Sequence, residues 1–425
     1  MLRISLIQKL LLCLLVFVTA LCVVTFAANF STAAQLQWPQ WRGPNRTDIS
    51  DETGLLKSWP ESGPQRKWLY KNAGLGYSGP AIVDDRMYLM GTRGEQEILL
   101  ALDINTGEEI WHTEMGSILE NNWGNGPRGT PTIAGDLIYS MSATGILTCT
   151  RVSNGTIVWQ TSMSDLGGSV PSWGFTESVL VDNGFVICTP GGDAGTIVAL
   201  DKQTGKPHWQ SKEWTDGAQY SSIMVTELNG IRQYIQLTQQ RVASVAADDG
   251  RLLWEADWPG RTAVVATPIV NNDRVYVTSG YGVGCMLIRI GQNNDVSEVY
   301  RNKVVKNHHG GVILVGDHIY GYSDGGGWVC QDFETGELVW NDKDKLGKGG
   351  VGFADGMLYC VSEQEGTVVL IEASPAGWKE HGRFTLTPQT ELRKPAGKIW
   401  VHPVVVNGNL YLRDQDLVYC YDVKE

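Results

Sequence analysis

The sequence contains no run of lysines or arginines, and its formal net charge is -12. Nucleic-acid binding, which needs basic stripes to neutralise phosphates, is therefore excluded. Its eight cysteines include no CxxC and no adjacent pair, so neither a zinc ribbon nor a thioredoxin-like redox motif is encoded. There is no HExxH, no phosphate-binding glycine loop and no usable Ser/His/Asp order. No hydrolytic or nucleotide-dependent chemistry can be read from local motifs. What the 425 residues do have is 50 Gly, 16 Trp and 15 Tyr. That composition predicts many tight turns, with flat side chains packed between strands.

The N-terminus reads as a targeting segment. Arg3 and Lys9 precede "LLLCLLVFVTALCVVTFAA" (10–28), apolar throughout. This fits a secretory signal with cleavage at Ala28 or Ala34, and export to the periplasm or cell envelope. The alternative is that 10–28 is retained as a single membrane anchor, the chain's one contact with a membrane. Leu21 before Cys22 is bulky where a lipoprotein signal carries a small residue, so lipidation is not expected. The division is 1–34 leader or anchor and 35–425 folded domain.

Within that domain one phrase returns: "ALDINTGEEIW" (101–111), "ALDKQTGKPHW" (199–209) and "CQDFETGELVW" (330–340). With Trp111 as a ruler, equivalent aromatics stand at Trp159, Trp209, Trp254, Tyr300 and Trp340, steps of 48, 50, 45, 46 and 40 residues. Phe384 continues the series and Trp68 precedes it. A period in the forties without helical spacing is the signature of four-stranded propeller blades. A second phrase alternates with the first, as in "PAIVDDRMYLM" (80–90), "PTIAGDLIYSM" (131–141) and "PVVVNGNLYLR" (403–413). Each is an alternating apolar run, a turn of Asp, Asn or Gly, and a second alternating run, which is a hairpin signal. Eight such hairpins predict an all-β propeller of eight blades, each with strands A–D. The last unit, "LVYCYDVKE" (417–425), lacks a strand D. "QRKWLYK" (65–71) is predicted to supply it, closing the ring and removing an open sheet edge.

Ten residues before the ruler aromatics lie Ala101, Cys149, Ala199, Ser244 and Cys330, with Cys420 in the matching slot of the last unit. All are small. They read as packing slots that let a large aromatic of the neighbouring blade approach, which makes the cysteines buried residues rather than redox groups.

The "ALDxxTGxxxW" phrase resembles the repeat of the pyrroloquinoline-quinone (PQQ)-like β-propellers, over roughly residues 38–425. The resemblance implies one of two kinds of protein. Quinoprotein alcohol dehydrogenases hold PQQ and calcium at the centre of eight blades, whereas BamB-like assembly lipoproteins have the same blades and no cofactor. "WPQWRGPNRT" (38–47), "NHHGG" and "YLRDQD" further resemble a group of exported bacterial members without an assigned activity. The chain lacks the dehydrogenases' neighbouring-cysteine disulfide. It offers no spacing match to their calcium-ligating carboxylate or catalytic Asp.

In a propeller the A–B and C–D turns share one face, and the B–C and D–A connections share the other. Here the longer and chemically varied segments are D–A connections such as "NNWGNGPRG" (121–129), "GGSVPSWGF" (167–175), "KVVKNHHGG" (303–311) and "LRKPAGKIWVH" (392–402). Binding is expected where variation concentrates. Just before each strand A, the predicted channel ring holds Tyr77, Arg128, Phe175, Gln219, Val265, His309, Lys348 and Trp400. A basic and aromatic ring suits a flat anionic ligand. The candidate ligand-binding set is completed by Trp173, His308, His402 and Asp414. His308 and His309 are adjacent, so on a strand they point to opposite sides and do not share a metal; no metal site is expected. Asp414 and Asp416 read as turn caps.

The reading is an exported propeller acting as a binding or assembly scaffold at the envelope, with no recognisable catalytic set. Its partner would be an envelope protein or a small anionic ligand. One alternative is a divergent PQQ-dependent oxidoreductase with PQQ and Ca2+ as cofactors. The other is a carbohydrate- or polymer-binding propeller using Trp123, Trp173 and Trp400.

Overall fold

The computed structural model describes residues 37–425, so the leader or anchor expected over 1–34 lies outside the described residues. Alternating apolar runs fold as antiparallel hairpins, two per blade. In blade 1, strands A–D run Ala81–Val83, Arg86–Arg93, Gln96–Asp103 and Glu109–Ser117 and pair in chain order. Blades 2 to 7 begin with strand A at Thr132–Ala134, Leu180–Asp182, Met224–Leu228, Ile269–Asn271, Val312–Val315 and Gly349–Ala354. Blade 8 begins at Val404–Val406 and takes its strand D from Gln65–Tyr70. Gln65 pairs with Asp422, Trp68 with Cys420 and Tyr70 with Val418, so the ring closes as the repeat predicts. Among the described residues, no helix is long and apolar enough to cross a membrane.

The recurrent phrase is explained by the C–D turn. Asp103 Oδ1 accepts the backbone N–H groups of Asn105 and Thr106, and Gly107 N–H returns to the Asp103 carbonyl at 2.8 Å. Asp201 and Asp332 repeat this with Thr204 and Thr335. These hydrogen bonds hold both carboxyls below the ordinary aspartate range. The glycine has two reasons to be there. Its φ is positive, and the preceding blade's aromatic lies on it: a Cβ on Gly155 would sit 2.5 Å from the Trp111 ring, and one on Gly205 2.5 Å from Trp159. Trp68, Trp159, Trp209 and Trp340 each donate Nε1–H to a backbone carbonyl of the next blade, those of Ile104, Lys202, Ala247 and Ser374.

The small-residue slots work differently from the expectation. Each stands directly opposite the aromatic of its own blade, as Ala101 with Trp111, Cys149 with Trp159 and Cys420 with Trp68. On the other side the slot faces a strand-B tyrosine, Tyr88, Tyr139 or Tyr411. A small side chain between them lets the two rings meet, with centroids 6.0 Å apart in all three rows. Such ring pairs add about 0.5–1.5 kcal/mol beyond burial. The six cysteines among the described residues are free and buried. Phe384 also departs from the expected series. The register position opposite Leu370 in blade 7 is Gly382, and Trp59 from the N-terminal segment packs onto it, 5.9 Å from Tyr359.

The hub is not an open channel. Residues 38–50 thread it as a plug. Trp38 exchanges backbone hydrogen bonds with Ile82 of blade 1, and the Pro39 carbonyl accepts Ile133 N–H of blade 2. Arg46 donates to the Ser178 and Val179 carbonyls entering blade 3. Trp41 Nε1 donates to Thr267 Oγ1 before blade 5 at 3.0 Å, and Arg42 Nη2 to the Val312 carbonyl of blade 6 at 2.6 Å. Ile49–Ser50 runs parallel to strand A of blade 7. Asp48 bridges Arg42 Nε (2.7 Å) and His402 Nδ1 (2.9 Å) before blade 8. Arg42, Arg46 and Asp48 all adopt left-handed backbone. That strain is held by their buried side-chain contacts.

Candidate functional site

Above the plug, on the D–A side, is a cavity of about 180 Å³. Trp41 and Arg42 of the plug form its floor, and its walls come from the segments leading into the A strands. Four indoles (Trp41, Trp123, Trp173, Trp400) and three phenols (Tyr77, Tyr220, Tyr281) surround it, together with the imidazoles of His308, His309 and His402. Exposed Trp123 forms part of the rim.

One wall is a continuous stack. Tyr77 lies 5.0 Å from Trp400, Trp400 4.7 Å from His309, and His309 3.5 Å from His308, their planes 29° apart. Tyr281 meets His308 edge-on at 4.5 Å. The two histidines therefore do not diverge as adjacent strand residues would. They precede strand A, in a connection where Gly310 and Gly311 let the backbone press against Gly349 and His402, so both rings turn to the cavity. Arg128 sits over the Tyr77 ring, 5.6 Å from its centroid. Its guanidinium is held by the carbonyls of Gly124 and Gly126.

The electrostatics follow from enclosure. Burial, reinforced by the Lys348 ammonium, lowers His308 to about 4. Burial and the neighbouring cationic groups hold His309 well below the ordinary histidine range. Both imidazoles are neutral at pH 7. Lys348 can only donate, so its 2.8 Å contact with His308 Nδ1 puts the ring proton on Nε2. That Nε2–H, like His309 Nδ1, has no hydrogen-bond partner among the described residues. Burial lowers Arg128 and raises Tyr77 from their ordinary values.

The sequence-predicted residues divide clearly. Tyr77, Arg128, Val265, His309, Trp400, Trp173, His308 and His402 line the cavity. Phe175 does not: it is 2% exposed and packs in the core between blades 2 and 3. Thr176 lines the cavity instead, and Tyr220 takes the place of Gln219. Lys348 stands behind His308, paired with Asp324 at 2.8 Å. Asp414 is buried, its carboxylate bound to Arg393 at 2.6 Å and to Thr390 N–H. Next to it Arg413 donates to the carbonyls of Ser78, Met90, Gly74 and Gln415. "RDQD" is thus the seam between blades 8 and 1. Trp41 and Arg42 were missed as site residues. Their signal was the density of Trp, Arg and Pro in a segment outside the repeat.

PQQ with calcium does not fit this cavity. No Asp, Glu, Asn or Gln is among its lining residues, whereas calcium takes oxygen ligands, chiefly carboxylates. Asp48 is committed to Arg42 and His402, and Glu363 accepts Trp400 Nε1–H at 3.1 Å. Among the described residues, no group of three or more His, Cys, Asp or Glu is placed to hold a metal.

Comparison with known proteins gives a consistent picture. Residues 94–342 match the PQQ-repeat family described as outer membrane protein assembly factor BamB. The BamB of Burkholderia pseudomallei is 26% identical over 310 residues, spanning 62% of this chain and 75% of that protein. The crystal structure of BamB from Moraxella catarrhalis superposes with a TM-score of 0.59 at 16% identity, covering 81% of this chain and 94% of that one. The quinohemoprotein alcohol dehydrogenase of Comamonas testosteroni gives the same TM-score at 12% identity, over 93% and 82%. At these identities the two solved structures share the fold alone.

Proposed function

From the premise that this chain belongs to the PQQ-repeat family described as outer membrane protein assembly factor BamB, we propose that it is an exported, non-catalytic scaffold of the cell envelope. It docks an envelope protein on its D–A/B–C face. The observation that carries this reading is the asymmetry of the disc. The A–B and C–D turns are short and repeat one chemistry. The opposite face carries the cavity and, around it, exposed Trp123, Val170, Tyr281 and Leu392. Apolar side chains left in water around a cavity mark a contact surface; the other exposed apolar side chains, Ile110, Ile157, Val158, Val299, Leu338 and Val339, are spread along the outer D strands. The cavity lining holds no carboxylate that would ligate the calcium of a PQQ-dependent oxidoreductase.

The test is site-specific photo-crosslinking in cells that express the full chain. A photoreactive residue at Val170 or Leu392 is expected to capture a discrete envelope protein, and one at Asn229, in an A–B turn of the other face, is not. Equal capture from both faces, or none from the D–A face, refutes the reading. So does recovery of the chain in the cytoplasmic fraction.

A further inference from the structure

We propose that the axial cavity is a binding site for a small aromatic carboxylate, one ring bearing one anionic group. This goes beyond the scaffold reading and does not depend on it.

The lining chemistry disfavours both sugars and organic cations. Sugar sites need planar acceptors that bridge neighbouring hydroxyls, and no Asp, Glu, Asn or Gln is present. An organic cation would meet the Arg128 guanidinium, which no carboxylate of the lining balances, whereas Arg42 is already paired with Asp48. What remains suits a flat, electron-rich, negatively charged guest. The Tyr77–Trp400–His309–His308 stack offers a broad wall of ring faces and edges. Aromatic pairs favour offset or edge-to-face contact at such spacings.

The donors are already placed. His308 Nε2–H is buried without an acceptor, and its tautomer is set from behind by Lys348. Arg128 is held rigid by two loop carbonyls, so little side-chain entropy is lost when it meets an anion. An unpaired buried donor costs free energy, and a ligand carboxylate relieves it once a small turn of the imidazole brings Nε2–H to the cavity surface. Size then restricts the guest. About 180 Å³ admits a single substituted ring, by comparison with the ~150 Å³ that houses benzene.

The experiment is isothermal titration of the full-length chain in mild detergent with benzoate and 4-hydroxybenzoate, tryptophan fluorescence serving as a second readout. Saturable one-site binding is expected. Cyclohexanecarboxylate, which is not planar, and benzamide, which is not charged, are expected to bind about ten-fold more weakly or worse. Arg128→Gln and His308→Phe are each expected to weaken 4-hydroxybenzoate by about ten-fold, the equivalent of one hydrogen bond to a charged group. Should Arg128→Gln melt early, His308→Phe keeps a ring in the stack and still deletes the donor. Absence of saturable binding overturns the proposal. So does equal affinity for benzamide or cyclohexanecarboxylate, or indifference to both substitutions. Any of these outcomes leaves the crosslinking result untouched, because that reads the exposed face rather than the cavity.

Discussion

The seams between blades and the hub they surround are built from opposite materials. Most seams repeat one apolar device: an aromatic on strand D, a small residue beside it on strand C, and a glycine in the next blade's turn to receive the ring. The hub repeats nothing. Its plug lies outside the blades, and its contacts are mostly charged or polar: Arg42 with Asp48, Asp48 with His402, Arg46 with backbone carbonyls. Blades 1 to 6 meet their seams with locally encoded residues, whereas the plug has to satisfy differently shaped mouths at once. Periodic chemistry therefore specifies the ring, and aperiodic chemistry specifies what the ring encloses.

Substitutions can separate the two contributions. The largest effect is expected from Arg413→Ala at the closing seam, where burial has already lowered the guanidinium to about 9. Removing it strips four carbonyls of their donor. Leaving buried carbonyls without their donor costs about 1–3 kcal/mol for each one that finds no other partner, read as a fall in the urea midpoint. Gly155→Ala, in an ordinary seam, forces a Cβ against Trp111 at φ +71° and is expected to cost about 2–3 kcal/mol. A larger loss at Gly155 than at Arg413 would mean that the repeated packing, not the closing seam, limits stability.

The third prediction concerns pH and sets one side of the hub against the other. His308, lowered to about 4 from 6.5, contributes stability above pH 6.5 that is lost as pH falls towards 4, and His309 acts in the same direction. Glu177 lies on the opposite side, where it accepts from Thr189 and Gln236. Burial raises it to about 7 from 4.5. The folded state then takes up this proton first, so stability rises as pH falls from about 7 towards 4.5. Melting temperatures at pH 7.5 and 5.0 are therefore expected to favour pH 5.0 more strongly in the double variant His308→Gln/His309→Gln than in the native chain. Parallel shifts in the two proteins would contradict the assignment. The smallest effect belongs to the rim. Arg251→Ala breaks exposed pairs with Asp248 and Asp249 and is expected to change stability by less than about 0.5 kcal/mol.

The eight blades and their closure were legible because each depends on spacing, and spacing survives in a sequence. The ring of residues before the A strands was legible for the same reason, up to small register errors. Phe175 and Gln219 were placed one residue from the side chains that face the cavity, because a connection does not keep the alternation of a strand. The plug was not legible as a plug. Nothing in "WPQWRGPNRT" states which distant carbonyls its arginines reach, since those contacts span separations such as Arg42 to Val312. Asp414 and Lys348 carried the right chemistry for a site, but their charge is neutralised by Arg393 and Asp324. Partners of that kind are visible only in three dimensions.

The interlock between the two ends also orders events in time. Residues 38–50 and 65–70 leave the ribosome before the groups they bind, from Ile82 to His402 and Leu417–Asp422. The Gln65–Tyr70 strand must therefore wait, unpaired, until the final blade exists, while the hub segment gains its partners one blade at a time. A chain cut short before Leu417 would leave the Gln65–Tyr70 clasp without a strand to pair with, although every partner of the strained hub segment, up to His402, would be present.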